Sequence, residues 1–325
     1  MTVNSPFAFL FLFGILNLDF LYNLILYKEC FMKNKINKIG LFNICVSLII
    51  IILWILVLFI HGYAGAVSWG LLKLFLPFIG IVAFLINFVL LLINLKKKKP
   101  ILRRVLALLL CIVISFPFLF TMNVIMFAYP VNAQEVTPSV TAIWPLTDKT
   151  VVGWGGDTTT DNLPHVTWAS ERWAYDLVME PYNTGSSELE GYGIWDKEVV
   201  APVSGIIVEA YDDEDDILPN TEEFKSSEGN HVYIKIDETG TYLLLNHFKK
   251  DSVTIKTGDH VNQGEVIGRV GNSGSTSEPH LHIQHQRQDP TKTVLPIFAE
   301  GLPLYFKDTD AKSMPLKSTI VMPNK

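Results

Sequence analysis

The feature that most restricts this chain is a change of composition near residue 134. Residues 1–133 are almost wholly apolar and broken by lysine clusters, whereas 135–325 are polar, rich in Gly, Pro, Asp and Thr, and patterned in short alternating runs. No single solvent suits both parts. The first carries 11 Lys and Arg against 2 Asp and Glu, a net of +9, and the second 15 against 30, a net of −15, which together give the chain its −6. Apolar stretches at about 6–27, 40–61, 75–94 and 105–128 each approach the ~20 residues that cross a bilayer. They predict an all-α membrane region of four transmembrane helices over 1–133. Asn17, Asp19 and Asn23 interrupt the first stretch, where a re-entrant segment is the alternative. Lys28, Lys33, Lys35 and Lys38 in one loop, and Lys96 to Lys99 with Arg103 and Arg104 in another, place both loops in the cytoplasm. The intervening loop, His61 to Trp69, has neither Lys nor Arg and belongs on the opposite side. The chain is then multi-pass in the cell membrane, with its C-terminal part extracytoplasmic. A transporter or sensor would need paired intramembrane charges, and only Asp19 and Lys73 offer themselves, so anchoring is the preferred reading of the spans. Val131-Asn132-Ala133 has the small-residue pattern of a signal-peptidase site, at which cleavage would release the C-terminal part from the membrane.

The expected organisation is a membrane region at 1–133, a Pro/Thr-rich linker at 134–150, a folded domain at 151–310 and a C-terminal tail at 311–325. Cys30, Cys45 and Cys111 all fall in or beside the membrane region, so the outer domain has neither disulfides nor a thiol nucleophile. Its periodicity is that of strands. Val199 to Ala210 reads as strand, turn and strand, His231 to Ile236 alternates, and Thr241 to Phe248 is apolar and aromatic. Glycines at 258, 264 and 268 between valines recur at hairpin intervals, and long helical patterns are absent. The fold class is therefore an α-helical membrane region joined to a mostly antiparallel β domain.

Within that domain Pro279-His280-Leu281-His282 sets two histidines two residues apart, which in a strand share one face. A catalytic zinc commonly takes three protein ligands and keeps one position for water. Asp176, on an alternating run with Arg172 and Ala174, and His165, eleven residues earlier, would complete such a set with one histidine of the pair if a hairpin brought them together. His247 ends the Thr241–Phe248 strand as a further imidazole with no apolar role, suited with His280 to proton transfer or oxyanion stabilisation. His231, His260 and His285 read as surface or hydrogen-bonded residues outside the site. The run Asp212 to Asp216 with Glu222 and Glu223 approximates a calcium loop, but its sixth position is Ile217 instead of glycine, so it reads as a solvated insertion. The insertion 181–197 is expected to line a substrate groove.

At these residues the chain resembles the lysostaphin-like, LytM-type zinc metallopeptidases that cut peptide cross-links of bacterial peptidoglycan. Asn246-His247, Val253, Gly258, Val261, Gly264, Ile267-Gly268, Gly271-Asn272-Ser273-Gly274 and Pro279-His280-Leu281-His282 follow that family's signature, and Gly229-Asn230-His231-Val232 resembles its G-N-x-V strand. The resemblance covers about 165–285. It implies His282 as a zinc ligand and His247 and His280 as the pair that assists water attack. The family usually supplies its first two ligands as H-x-x-x-D, whereas here Arg172 stands four before Asp176. His165 ahead of Glu171-Arg172-Trp173-Ala174-Tyr175-Asp176 resembles a variant whose histidine lies further upstream, which gives His165, Asp176 and His282 as ligands of one Zn²⁺. Arg172 is free to pair with Asp176 and compete with the metal. The implied partners are peptidoglycan peptides and the lipid bilayer, with a regulatory membrane partner left open. The outer domain's net −15 disfavours nucleic acid and other anionic polymers. The alternative is a non-catalytic domain of this fold that binds wall peptides or regulates another hydrolase.

Overall fold

The computed structural model describes residues 38–324, and the first expected span, 6–27, with Asp19, Cys30 and the lysines at 28, 33 and 35, lies outside them. The described chain divides into two compact units. The first comprises, among described residues, 38–52 and 78–116; the second comprises Leu53–Pro77 and Pro117 onward.

The N-terminal region is helical. α1 (Lys38–Ile55) continues as a π-helical stretch to Ile60. The chain reverses at His61 and Gly62, which have φ of 57° and 62°. It then runs through α2 (Gly62–Gly70), a second π-helical stretch (Leu71–Phe75) and α3 (Leu76–Lys96). α4 (Leu102–Ser115) and the single turn α5 (Phe118–Thr121) come next. Among the described residues, three stretches are long and apolar enough to cross a membrane: Leu41–Ile60, Gly62–Lys96 and Leu102–Thr121. The expectation of a non-helical loop over 61–69 is corrected. With one residue of positive φ and one glycine doing the turning, Tyr63 to Trp69 remain helical, and the next span starts at 62 instead of 75. The last ends at Thr121, short of 128. In the first unit α3 packs closely on α4 where Gly80 faces Ile114 and Ser115, leaving no room for a larger side chain.

The C-terminal region is built from strands β1 (Val140–Ile143), β2 (Thr150–Trp154), β3 (Tyr175–Val178), β4 (Glu198–Val200), β5 (Gly205–Tyr211), β6 (Asn230–Ile236), β7 (Tyr242–Phe248), β8 (His260–Val261), β9 (Val266–Arg269), β10 (Leu281–Gln286), β11 (Leu304–Lys307) and β12 (Ile320–Val321). Eight form one antiparallel sheet in the order β12-β2-β3-β10-β7-β6-β5-β8; β4 pairs antiparallel with β9, and β1 parallel with β11. The mostly antiparallel expectation thus holds. The sheet system also draws in both segments expected to flank the domain, through β1 in the connector and β12 near the C-terminus. One helix, α6 (Thr159–Val166), precedes β3.

The strand period explains where the core sits. Along β10, Leu281 and Ile283 join a cluster containing Leu177, Leu243, Leu245, Val232 and Ile234, all at 0% exposure. Each such side chain contributes about 1.5–3 kcal/mol by leaving water. The alternate residues His282, Gln284 and Gln286 turn to the opposite face and are also buried, so β10 separates an apolar core from a polar, enclosed layer.

A candidate metal centre in the polar layer

The register of β10 against its neighbours assembles the centre of the site. His282 lies directly opposite Asp176 of β3 and opposite Asn246 of β7. Its Nδ1 is 2.9 Å from Asp176 Oδ1. His165 Nε2 lies 3.4 Å from Asp176 Oδ2, and the rings of His165 and His282 meet edge to face at 5.1 Å. One ligand atom from each of the three residues falls within 4.8 Å of the others, a spacing that could hold a single metal ion.

The ring orientations fit a metal. His165 Nδ1 is 2.7 Å from Asn162 Oδ1, a carbonyl that only accepts, so Nδ1 carries the proton and Nε2 presents its lone pair. Asn162 is itself fixed, its amide donating to the carbonyls of Gly156 and Ala174. His282 is set the opposite way round. Its Nε2 is 2.9 Å from Gln284 Oε1, and the Gln284 amide donates in turn to Gln286 Oε1. With the remote nitrogen of each histidine committed to a carbonyl, the near nitrogen of each is left to ligate. These second partners were not read from the sequence, although Gln284 stands two residues after His282 and shares its face.

His165 arrives by a route other than the expected hairpin. It sits in the last turn of α6, whose N-cap Thr158 accepts from the Asp161 N–H; Asn162 departs from helical geometry and Pro164 lies inside. The chain turns from this short helix into β3, and the His165 ring reaches Asp176 from above the strand. Arg172 does not pair with Asp176. Its Nη1 is 2.8 Å from Asp157 Oδ1 and its Nε donates to the carbonyl of Tyr129, which turns it away from the site and removes the expected competition.

His247 and His280 stand beside the three. Their ring centroids are 4.6 Å apart, and His280 Nε2 is 3.7 Å from Asp176 Oδ1. His247 Nδ1 donates to the Ser273 carbonyl at 2.8 Å, and His280 Nδ1 to the Glu278 carbonyl at 2.8 Å, so the Nε2 of each ring is left uncommitted to the backbone. His247 has φ of +66° and is the residue skipped in the pairing of β6 with β7, where Asn230 faces Phe248 and His231 faces Asn246. A bulge with a left-handed residue re-aims one side chain off the strand's alternation. The Gly271–Gly274 run serves this placement: Ser273 Oγ donates to the Phe248 carbonyl, and Gly274 lies against Gly229 so closely that neither tolerates a Cβ.

Electrostatics follow from burial and the cluster of rings. Burial alone would raise Asp176, but the His165 and His280 rings and the hydrogen bonds of His165 and His282 hold it well below the usual carboxylate range. Burial pulls His282 down, yet the Asp176 bond and charge outweigh this and push it up to about 9. Burial, with His280 and His282 as neighbours, depresses His247 well below the usual imidazole value. The cleft above these groups, about 370 Å³, is lined by Pro164, Glu171, Ser227, Glu228, Asn246 and Ser275 besides the site residues. None of 181–197 lines this cleft; Tyr192 and Ile194 of this insertion are buried inward, and Asn183 N donates to Glu278, two residues before His280.

The acidic run is likewise corrected. Asp212, Glu214 and Asp216 alternate inward: Asp212 accepts from Val253 N, Glu214 from Lys225 N and Ser226, and Asp216 from Lys250 N and Asn272 N. They are backbone staples rather than a solvated loop. The three histidines left outside the site are accounted for elsewhere. His285 is buried against Thr241 and the Pro303 carbonyl, His260 pairs with Asp237, and His231 stacks on Tyr233.

Residues 194–293 match the model of peptidase family M23. Over these residues the chain is similar to that family. The matched residues include His247, His280 and His282; His165 and Asp176 precede them. A curated relative, the peptidoglycan DD-endopeptidase ShyC of Vibrio cholerae, is 38% identical over 56 residues, which is 17% of this chain and 12% of the relative. The chain thus spans a small part of that protein. Among solved structures, the catalytic domain of lysostaphin from Staphylococcus simulans is 21% identical with a TM-score of 0.29, covering 47% of this chain and 86% of that one. A zinc-containing peptidase from Vibrio cholerae is 16% identical with a TM-score of 0.25, covering 45% and 35%.

Proposed function

We propose that this protein is a membrane-anchored zinc metalloendopeptidase that hydrolyses peptide bonds in the cross-links or stem peptides of peptidoglycan. The observation that carries this reading is the convergence of His165 Nε2, Asp176 and His282 Nδ1, with the far nitrogen of each histidine fixed on a side-chain carbonyl. A zinc held by these three would supply a Lewis acid and lower the pKa of a bound water toward ~7. The chain's own residues do the rest. Asp176, ionised and half-buried, holds both ligand rings in place. His247 and His280, each with its Nδ1–H on a backbone carbonyl and its Nε2 free, accept the proton from the attacking water and return it to the leaving amine. Asn246, whose Oδ1 is buried without a partner at the cleft wall, is available to a substrate N–H. The apolar helices anchor the chain in the bilayer, which brings the cleft to a wall substrate.

The test is elemental analysis of the detergent-solubilised full chain and its His165→Ala variant, with muropeptide release from isolated cell wall measured in parallel. About one zinc per chain, lost with release in the variant, is expected. A folded parent without zinc would favour the non-catalytic wall-binding reading.

A further inference from the structure

Residues Leu53–Pro77 belong to the same compact unit as the β domain, and their meeting point is polar at its centre. Trp69 on α2 and Lys73 on the π-helical stretch after it are both 1% exposed. Trp69 Nε1 and Lys73 Nζ each donate to the carbonyl of Thr167 at 2.9 Å. Lys73 Nζ also lies 3.6 Å over the ring of Trp168. The preceding carbonyl, that of Val166, accepts from Tyr129 N–H at 2.7 Å, and the Tyr129 ring packs on Trp69 at 5.9 Å. Phe298, from a loop on the far side of β10 in sequence, closes against Gly70 and Phe75.

These donors converge one and two residues after His165. α6 has eight residues, a non-helical Asn162 and an internal Pro164, so it holds its last turn poorly by itself. The final carbonyls of a helix have no partners within it, and buried ones must find donors elsewhere. A buried ammonium is costly unless it is well coordinated, and a leucine would fill the same space in so apolar a helix without that cost. Lys73 instead spends its charge on the C-terminal end of the helix that carries His165, where a cation is favoured. The run Gly62–Lys96 is 35 residues long against the ~20 needed to cross a bilayer, which leaves about fifteen residues for such a contact.

We propose that Trp69 and Lys73 are positioning residues for His165. By fixing the Thr167 carbonyl from the helical hairpin that precedes the β domain, they set the height and rotation of the His165 ring, so the metal site is complete only with that hairpin docked. The proposal rests on the metallopeptidase reading. Neither residue lines the cleft, and both act through the backbone of 166–168.

The test uses the full chain in detergent, stripped with chelator and titrated with Co²⁺ and Zn²⁺, with circular dichroism as the check on folding. Lys73→Met and Trp69→Phe are each expected to weaken metal binding about 10–100-fold and to alter the visible d–d bands of bound Co²⁺. Lys73→Arg, which keeps the cation and its donors, should restore both to near the parent. Should Lys73→Met misfold, Trp69→Phe, which removes one N–H and keeps an aromatic ring, decides the matter. Parental affinity and spectrum in folded Trp69→Phe and Lys73→Met would overturn the positioning role. A parent that binds neither metal would instead overturn the metallopeptidase reading on which it rests.

Discussion

Loading the metal-free protein with zinc should expel a proton from His282. In the metal-free site, burial lowers the affinity of this ring for a proton, but the 2.9 Å bond to Asp176 and the carboxylate's charge prevail and raise its pKa to about 9. At pH 7.5 such a group is about 97% protonated, and Nδ1 cannot ligate while it carries that proton. Asp176 lies well below the carboxylate range and contributes no proton near neutrality. Below pH 9, His282 alone should therefore strengthen zinc binding about tenfold per pH unit, flattening above it. The same shift acts in the opposite direction on the metal-free fold. Its folded pKa exceeds the unfolded value of 6.5, so the stabilisation, on the order of 3 kcal/mol, is fully present below pH 6.5 and is lost as pH rises through 9. Calorimetric titration of zinc into the chelator-treated full chain at pH 7.5, in buffers of different ionisation enthalpy, should give a release of about one proton from this residue, absent in His282→Gln. A release near zero in the parent would refute displacement of the Asp176–His282 proton by the metal.

Replacing Gln284 by Leu frees the His282 tautomer and should weaken zinc binding about 10–100-fold while leaving the strand ladder intact, read by metal competition with a chromophoric chelator. His247→Ala and His280→Ala should each keep one zinc per chain yet lose about 10²–10⁴ of turnover; loss of zinc in either would reassign it as a ligand. Arg172→Met strands the Tyr129 carbonyl and Asp157, and because Asp157 is partly exposed the expected loss is near 3 kcal/mol, the low end for breaking a buried pair, measurable by denaturant unfolding. Glu214→Ala removes the acceptor of Lys225 N and Ser226 N, so hydrogen exchange at those two amides should rise by one to two orders of magnitude, from about 1–3 kcal/mol per unpaired group, with little change in β10.

The sequence was most readable where one strand carries its own logic. Period two along 281–286 puts His282 on the face opposite Leu281 and Ile283, and β5, β6 and β7 fall within the runs read as strands. Whatever depends on pairing between distant strands was not readable. Nothing local states that Asp176 sits across from His282, or that the bulge between β6 and β7 gives His247 its left-handed backbone. α6 has too few apolar residues and too many breakers to announce a helix, hence the expectation of a hairpin at His165. Trp69 and Lys73 look like a loop and a stray charge until the tertiary contact with Thr167 gives them partners. The tripeptide Val131-Asn132-Ala133 matches a cleavage site by composition; in the folded chain Val131 and Ala133 are buried and the Val131 carbonyl faces Arg172.

The two-sidedness of β10 also sets where this gene can gain or lose codons. A single-residue insertion between Leu281 and His282 would exchange the faces of the residues that follow, driving His282 and Gln284 toward the leucines of β3 and β7 and presenting Ile283 to the site. The turn at Gly240, with φ of +69° and open space around it, carries no such phase and should absorb an added residue with the site untouched.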